Sequence, residues 1–194
     1  LKKTVDAIYE AIKGLSAYVS EQYPHIYTEL PEQIFYITTQ ELEDLYPDLT
    51  PKQREDAITR EKRAVFIMQI GGLLRSGIKH DGRAPDYDDW QLNGDIVLWN
   101  DILDRSFEIS SMGIRVDQDT MERQLTEGNA LDRKNLEFHK GILNGTLPLS
   151  IGGGIGQSRL CMYFLRKAHI GEVQVAIWQK EMIQTCMEHN IFLL

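Results

Sequence analysis

Four glycines fall within five residues, at Gly152, Gly153, Gly154 and Gly156, and Gln157, Ser158 and Arg159 follow them. Backbone without a Cβ can lie against another strand or a flat ligand where any side chain would clash. A helix opening after Gly156 would offer free N–H groups and its dipole to an anion, and Arg159 would add a fork of donors for phosphate oxygens. The spacing is not a dinucleotide fingerprint, because no G-x-G-x-x-G frame has an acidic residue at the right distance inside a βαβ unit. Nor is it a P-loop, since no Lys-Ser or Lys-Thr follows the last glycine. Glycines that only let a helix pack on a sheet would give the same pattern, so this loop assigns no function by itself.

The stretch Phe107 to Val116 adds an acid and a second arginine. Period-2 alternation puts Glu108 and Ser110 on one strand face, and a bulge at Ser111-Met112-Gly113 would bring Arg115 back onto it. A carboxylate at Glu108 could hold Mg²⁺ beside phosphates, because that ion takes oxygen ligands and shares them with its substrate. A cross-strand ion pair would explain the same residue. Arg115 could grip a carboxylate at two points, and Asp95, on the adjacent expected strand, could supply a second oxygen to a metal. Acids, arginines and a glycine-rich loop on a sheet floor suit a nucleotide together with a small charged substrate.

The elements that must position these residues are legible in outline. Val5, Ile8, Ile12, Leu15 and Val19 recur at helical spacing and predict one long amphipathic helix. Residues 33–38 read as a strand. A short helix follows near Thr39, with Glu41 and Glu43 early in it, and another has Thr50 as N-cap and Pro51 at its first position. The nearly apolar run 64–70, ended by Gly71-Gly72, fits a strand buried on both faces. Residues 80–95 read as a polar, acidic loop of the kind that binds ligands. Residues 95–99 and 106–110 read as an antiparallel pair. A helical region over 117–145, ended by Gly145, would bury Leu125, Leu131, Leu136, Phe138 and Leu143. An apolar helix to about Lys167, a strand over 173–178 and a short helix complete the chain. Nothing suggests a repeat or a linker, so one domain over 1–194 is expected.

Composition limits the rest. The chain has 194 residues with 21 Lys+Arg against 29 Asp+Glu, a formal net charge of −8. That balance disfavours sequence-independent nucleic-acid binding and an anionic membrane surface. Two cysteines, Cys161 and Cys186, cannot build a disulfide framework, and no Cys/His cluster suggests zinc. No apolar stretch is long enough to span a bilayer, and no signal segment opens the chain. A mixed-class cytoplasmic protein is the expectation.

A resemblance narrows this. Glu108 to Val116 followed by Gly152 to Leu160 resembles the second half of a class II aminoacyl-tRNA synthetase core, the last element being that class's motif 3. Residues 83–90 (Arg-Ala-Pro-Asp-Tyr-Asp-Asp-Trp), 92–96, 110–116 and 151–160 together resemble ammonia-dependent asparagine synthetase, the aspartate–ammonia ligases, across the whole chain. The resemblance implies an α/β (α+β) fold, an antiparallel sheet flanked by helices, with residues 1–194 similar to the C-terminal portion of a single catalytic domain. It implies activation of the L-aspartate β-carboxylate by ATP to β-aspartyl-adenylate and pyrophosphate, then attack by ammonia to give asparagine and AMP, in a homodimer.

By motif position, Arg159 resembles the motif 3 arginine on the ATP γ-phosphate, with Gly153, Gly154 and Gly156 beside the nucleotide. Glu108 resembles the acid that holds Mg²⁺ and ATP, and Asp95 its companion. Arg115 matches the arginine that grips the substrate side-chain carboxylate in aspartyl-tRNA synthetases. Here the side chain reacts, so Arg115 is expected on the α-carboxylate. Asp88 and Arg83 lie in a loop expected near the amino group and the ammonia entry, and Ser111 is a further substrate contact. The chain differs from the family pattern in beginning at the long helix, without motifs 1 and 2, and in having only Gln91 between Trp90 and Leu92, where a longer loop is expected. A chain this short is expected to be inactive. A tRNA-charging fragment, a non-catalytic nucleotide-binding paralogue and a phosphate-binding module are the competing readings. Glutamine-dependent synthesis is disfavoured because neither cysteine stands at an N-terminus.

Overall fold

The computed structural model describes residues 1–194. A five-stranded sheet forms the frame, in the order β1 (Phe35–Thr38), β2 (Ala64–Met68), β3 (Asp88–Asn100), β4 (Arg105–Arg115) and β5 (Ile151–Ile155). β1 and β2 run parallel, and every other neighbouring pair is antiparallel. A parallel pair needs a crossover, and helices α2 (Thr39–Leu45) and α3 (Pro51–Lys62) supply it. Both start where the side chains dictate. Thr38 with Glu41 and Thr50 with Gln53 form reciprocal capping boxes, and Pro51 sits where no N–H is needed.

The two sheet faces have different fates. One face packs Phe66, Ile96, Leu98, Ile109 and Met112 against α1 (Lys2–Gln22) and α6 (Gln157–Phe164), with Val5, Tyr9, Ile12 and Tyr163 in the same core. The other packs Val65, Ile67 and Val97 under α2 and α3 through Leu42 and Ile58. Farther along β3 and β4 this second face carries polar residues instead, and the candidate site lies there.

Several sequence expectations need correction. The buried line of α1 is Val5, Tyr9, Ile12 and Ser16, while Leu15 is exposed. The line turns toward Tyr9 and Ser16 because their hydroxyls donate to Pro31 O at 2.7 Å and Thr28 O at 3.1 Å. Residues 88–95 are strand, because β3 is 13 residues long and pairs with β4 back to Asp88↔Arg115. Between that pair and Asn93↔Gly113 the register shifts, and Gln91 and Leu92 protrude to solvent there. The 117–145 region divides into α4 (Gln118–Glu127), a 3-10 turn (Leu131–Asn135) and α5 (Glu137–Leu143), ending at Gly145 with φ +68°. Its core is Val116, Met121, Leu125, Ala130 and Ile142; Leu131, Leu136 and Phe138 are exposed. The turn after Ala130 interrupts the helical period that would have placed them inside. Residues 173–178 form no strand, and a 3-10 turn at Ile170–Glu172 precedes α7 (Lys180–Glu188).

Gly94 shows how tightly the sheet centre is packed. A Cβ there would stand 2.5 Å from the Ile67 carbonyl oxygen and 2.6 Å from the Phe66 ring. Overpacking of this kind costs about 1–3 kcal/mol, so Gly94→Ala should lower the melting temperature by roughly 3–10 °C in a thermal denaturation scan.

Candidate active site

The site is built on an irregularity of β4. Ile96 pairs with Ser110 and Val97 with Glu108, so Ile109 is an extra residue, a β-bulge. The bulge lies at Ile109, not at Ser111-Met112-Gly113 as the sequence suggested. Its effect is to rotate Glu108 onto the face shared by Ser111 and Arg115, while Ser110 is buried with its hydroxyl donating to Gly154 O at 2.8 Å. Ser111, one place on from the anticipated Ser110, is therefore the serine beside Glu108.

Glu108, Ser111 and Arg115 line one open cavity of about 380 Å³ together with Tyr87, Asp88, Ile109, Gly153, Gly154, Gly156 and Arg159. The strand β5 that carries the glycines pairs with β4 in the register Ser111↔Gly154, Met112↔Gly153 and Gly113↔Gly152. Each glycine is small for its own reason. A Cβ on Gly152 would stand on the Arg115 guanidinium, and one on Gly153 would lie 2.6 Å from Met112 Cβ. Gly154 has nothing within 4 Å of the position a Cβ would take. It is the glycine that leaves the cavity floor bare, whereas Gly152 and Gly153 serve packing.

Asp88 and Arg115 form an ion pair at one end of the cavity. Gly113 makes room for it, because a Cβ there would lie 2.6 Å from Asp88 Cγ. Burial pushes the Asp88 carboxyl above its ordinary range, and the Arg115 charge only partly opposes that shift. The strand carrying Asp88 is held from behind by Gln124 of α4. Its amide nitrogen donates to Pro85 O and Asp88 O, each at 3.0 Å, and its oxygen accepts from Trp90 N at 2.7 Å. Asp86 is held on the same side by Arg133 at 2.8 Å and His139 at 2.9 Å. Burial would raise Asp86, yet these two partners outweigh it and hold its carboxyl below the usual range.

Arg159 lies at the other end, 3.2 Å from Glu108 Oε1, in a pair about half exposed on both sides. Such pairs are weak, so both side chains are free to re-pair with an anion and a cation. Asp95 stands apart from this cavity. It lines a neighbouring one, of about 370 Å³, which also reaches Glu108. Arg83 pairs with Asp95 and with Asp81 and is not among the residues lining the Asp88 cavity, although its charge still acts on the Asp88 carboxyl. Burial raises Asp95, with Arg83 pulling the other way. The sequence reading missed Tyr87, whose one signal was its place directly before Asp88, and Gln124, whose three bonds cross 34 to 39 residues and leave no local signature.

The fold is that of class II aminoacyl-tRNA synthetases. Asparaginyl-tRNA synthetase from Entamoeba histolytica superimposes with a TM-score of 0.56 at 17% identity, covering 86% of this chain and 41% of that one. The same enzyme in complex with asparaginyl-adenylate gives 0.56 over 84% and 40%. Within that class the sequence is decisive, because a family model for aspartate-ammonia ligase matches residues 1–190, and the chain belongs to that family. It is 60% identical over 194 residues to an aspartate–ammonia ligase of Ruminiclostridium cellulolyticum and 58% identical over 194 residues to one of Clostridium tetani. The chain spans 58% and 57% of the length of those two relatives. No helix is long and apolar enough to cross a membrane.

The glycine geometry separates Gly153 from Gly154. Gly153→Ala should lower the melting temperature by several degrees. Gly154→Ala should melt within about 1 °C of the parent, because nothing stands where its methyl group would go; a thermal denaturation scan reads both variants.

Proposed function

We propose that the full-length protein is an aspartate–ammonia ligase. It activates the β-carboxylate of L-aspartate with ATP, releases pyrophosphate, and lets ammonia displace AMP to give L-asparagine. The observation that carries this reading is the Asp88–Arg115 pair at one end of the cavity whose other end holds Arg159, in a chain of this family. A free α-amino acid carries an ammonium and a carboxylate on one carbon. A buried carboxylate beside a guanidinium matches that arrangement group for group. Substrate entry exchanges one ion pair for two, with the α-ammonium on Asp88 and the α-carboxylate on Arg115, and the side chain is left pointing along the cavity.

The nucleotide then lies toward Gly154 and Gly156, and Arg159 takes phosphate oxygens with a fork that a lysine would not reproduce. The residues present also fit a Mg²⁺ ion. Asp95 is buried with Oδ1 lacking any hydrogen-bond partner, and Glu108 lines the same cavity. Two carboxylates are too few for a complete protein cage but suit an ion that takes its remaining oxygens from phosphates and water. Mg²⁺ bound there would neutralise phosphate charge as pyrophosphate leaves. Ser111, on the floor between Glu108 and Arg115, is placed to hydrogen-bond the reacting carboxyl group. The family reading extends to a homodimer in the cytoplasm, with no nucleic-acid partner.

Two outcomes test the assignment of the pair, both in the full-length protein. Arg115→Lys should raise the aspartate KM about tenfold or more, because a point charge loses two-point binding, and should leave the ATP KM within about twofold. A larger effect on ATP than on aspartate contradicts the assignment. Asp88 must be ionised to accept the α-ammonium, and its raised pKa means that it takes up a proton at a higher pH than an ordinary carboxylate. Aspartate affinity should therefore begin to fall while the pH is still above the normal carboxylate range of about 4. Protonation favours the folded state of a group whose folded pKa is raised, so this loss of binding should come without loss of structure through Asp88. Asp88→Asn should bind weakly and remove the acidic limb of the profile.

A further inference from the structure

We infer that Tyr87 is a positioning residue for substrate carboxylate recognition, acting through the face of the Arg115 guanidinium; this rests on the reading of Arg115 proposed above. Tyr87 is 57% exposed, yet it lines the same cavity as Asp88 and Arg115. Its centroid stands 3.8 Å from Arg115 Cζ, which is stacking distance for a cation on a ring.

The ring is not loosely placed. Tyr87 O accepts from Val116 N at 3.0 Å, tying it to the residue after Arg115. On one side Asp86 is held by Arg133 and His139, and on the other Asp88 is paired with Arg115 itself. Arg115 is thus limited in three directions: the Tyr87 ring covers its planar face, Asp88 holds Nη1, and the bare backbone of Gly152 lies against the rest of the guanidinium. A ring over one face of the guanidinium closes that approach and leaves its donor edge, and edge-on approach is the geometry of two-point binding. The ring also keeps water from that face, which strengthens the remaining charge interactions. The tyrosine hydroxyl has no part in this, so the ring alone should suffice.

Three consequences distinguish this role from bulk packing. Tyr87→Phe keeps the ring and should bind L-aspartate within about twofold of the parent. Tyr87→Leu keeps an apolar side chain of reduced size without the π face and should weaken L-aspartate binding about fivefold to tenfold, in line with a partly exposed cation–π contact. The ATP KM and the melting temperature should hold in both variants, since the side chain is mostly exposed.

The experiment is calorimetric titration of the full-length protein and both variants with L-aspartate, with KM values for aspartate and ATP measured alongside. Equal aspartate affinity in the Leu and Phe variants overturns the inference, as does a parallel rise of both KM values in the Leu variant. If the parent binds aspartate but makes no asparagine, the ligase reading fails while the titrations still decide the role of Tyr87. If the parent does not bind aspartate, both fall.

Discussion

The ion pair between Asp88 and Arg115 is the interaction on which the rest of the site depends. Two opposite charges largely enclosed by protein must be held in good geometry, because their mutual attraction offsets desolvation only when they meet well. Much of the surrounding structure serves that requirement. Gly113 and Gly152 leave room for the two side chains. Tyr87 covers the guanidinium, and Gln124 fixes the backbone on both sides of Asp88. The helices α4 and α5 thereby contribute to a site they do not line: through Gln124, His139 and, from the turn between them, Arg133, they hold the strand that carries the acid.

The second constraint is geometric. An unbroken β4 would alternate Glu108 and Ser111 onto opposite faces, since they are an odd number of residues apart. The extra residue at Ile109 removes that conflict. Ile109 itself goes into the core beneath, while Glu108 joins Ser111 and Arg115 above. One bulge thus places Glu108 and Arg115 in a common cavity. The face beneath stays closed by α1 and α6, which lets the site face be polar without loss of the hydrophobic core.

What the sequence made legible follows from the range of the interactions. The capping of α3 by Thr50 with Pro51, the doubly buried β2 and the β3–β4 pair are local patterns, and each was read correctly. The helix after the glycines was recognised as well, although the glycines themselves, read as a loop, form β5, and Glu108, Ser111, Arg115 and Arg159 do meet in one cavity with Asp88. The position of the bulge was not readable, because it depends on which β3 residue faces which β4 residue rather than on any turn-forming residue. Residues 88–95 looked like a loop for a similar reason. Their polar side chains line a site and an ion-pair network, so the alternation that marks an ordinary strand is absent. The pairing of Arg83 with Asp95 crosses 12 residues and left no local signature, and the apparent apolar positions at Leu131, Leu136 and Phe138 lost their period at an interrupting turn. Local chemistry was therefore legible, and cross-strand register was not.

The central claim is that this site joins an activated aspartate to ammonia. The most direct measurement is AMP release by the full-length protein supplied with Mg-ATP and L-aspartate, with and without ammonia. AMP release should depend on both aspartate and ammonia, with asparagine formed in equal amount. AMP that appears only when tRNA is added, or nucleotide binding with no AMP at all, would contradict it.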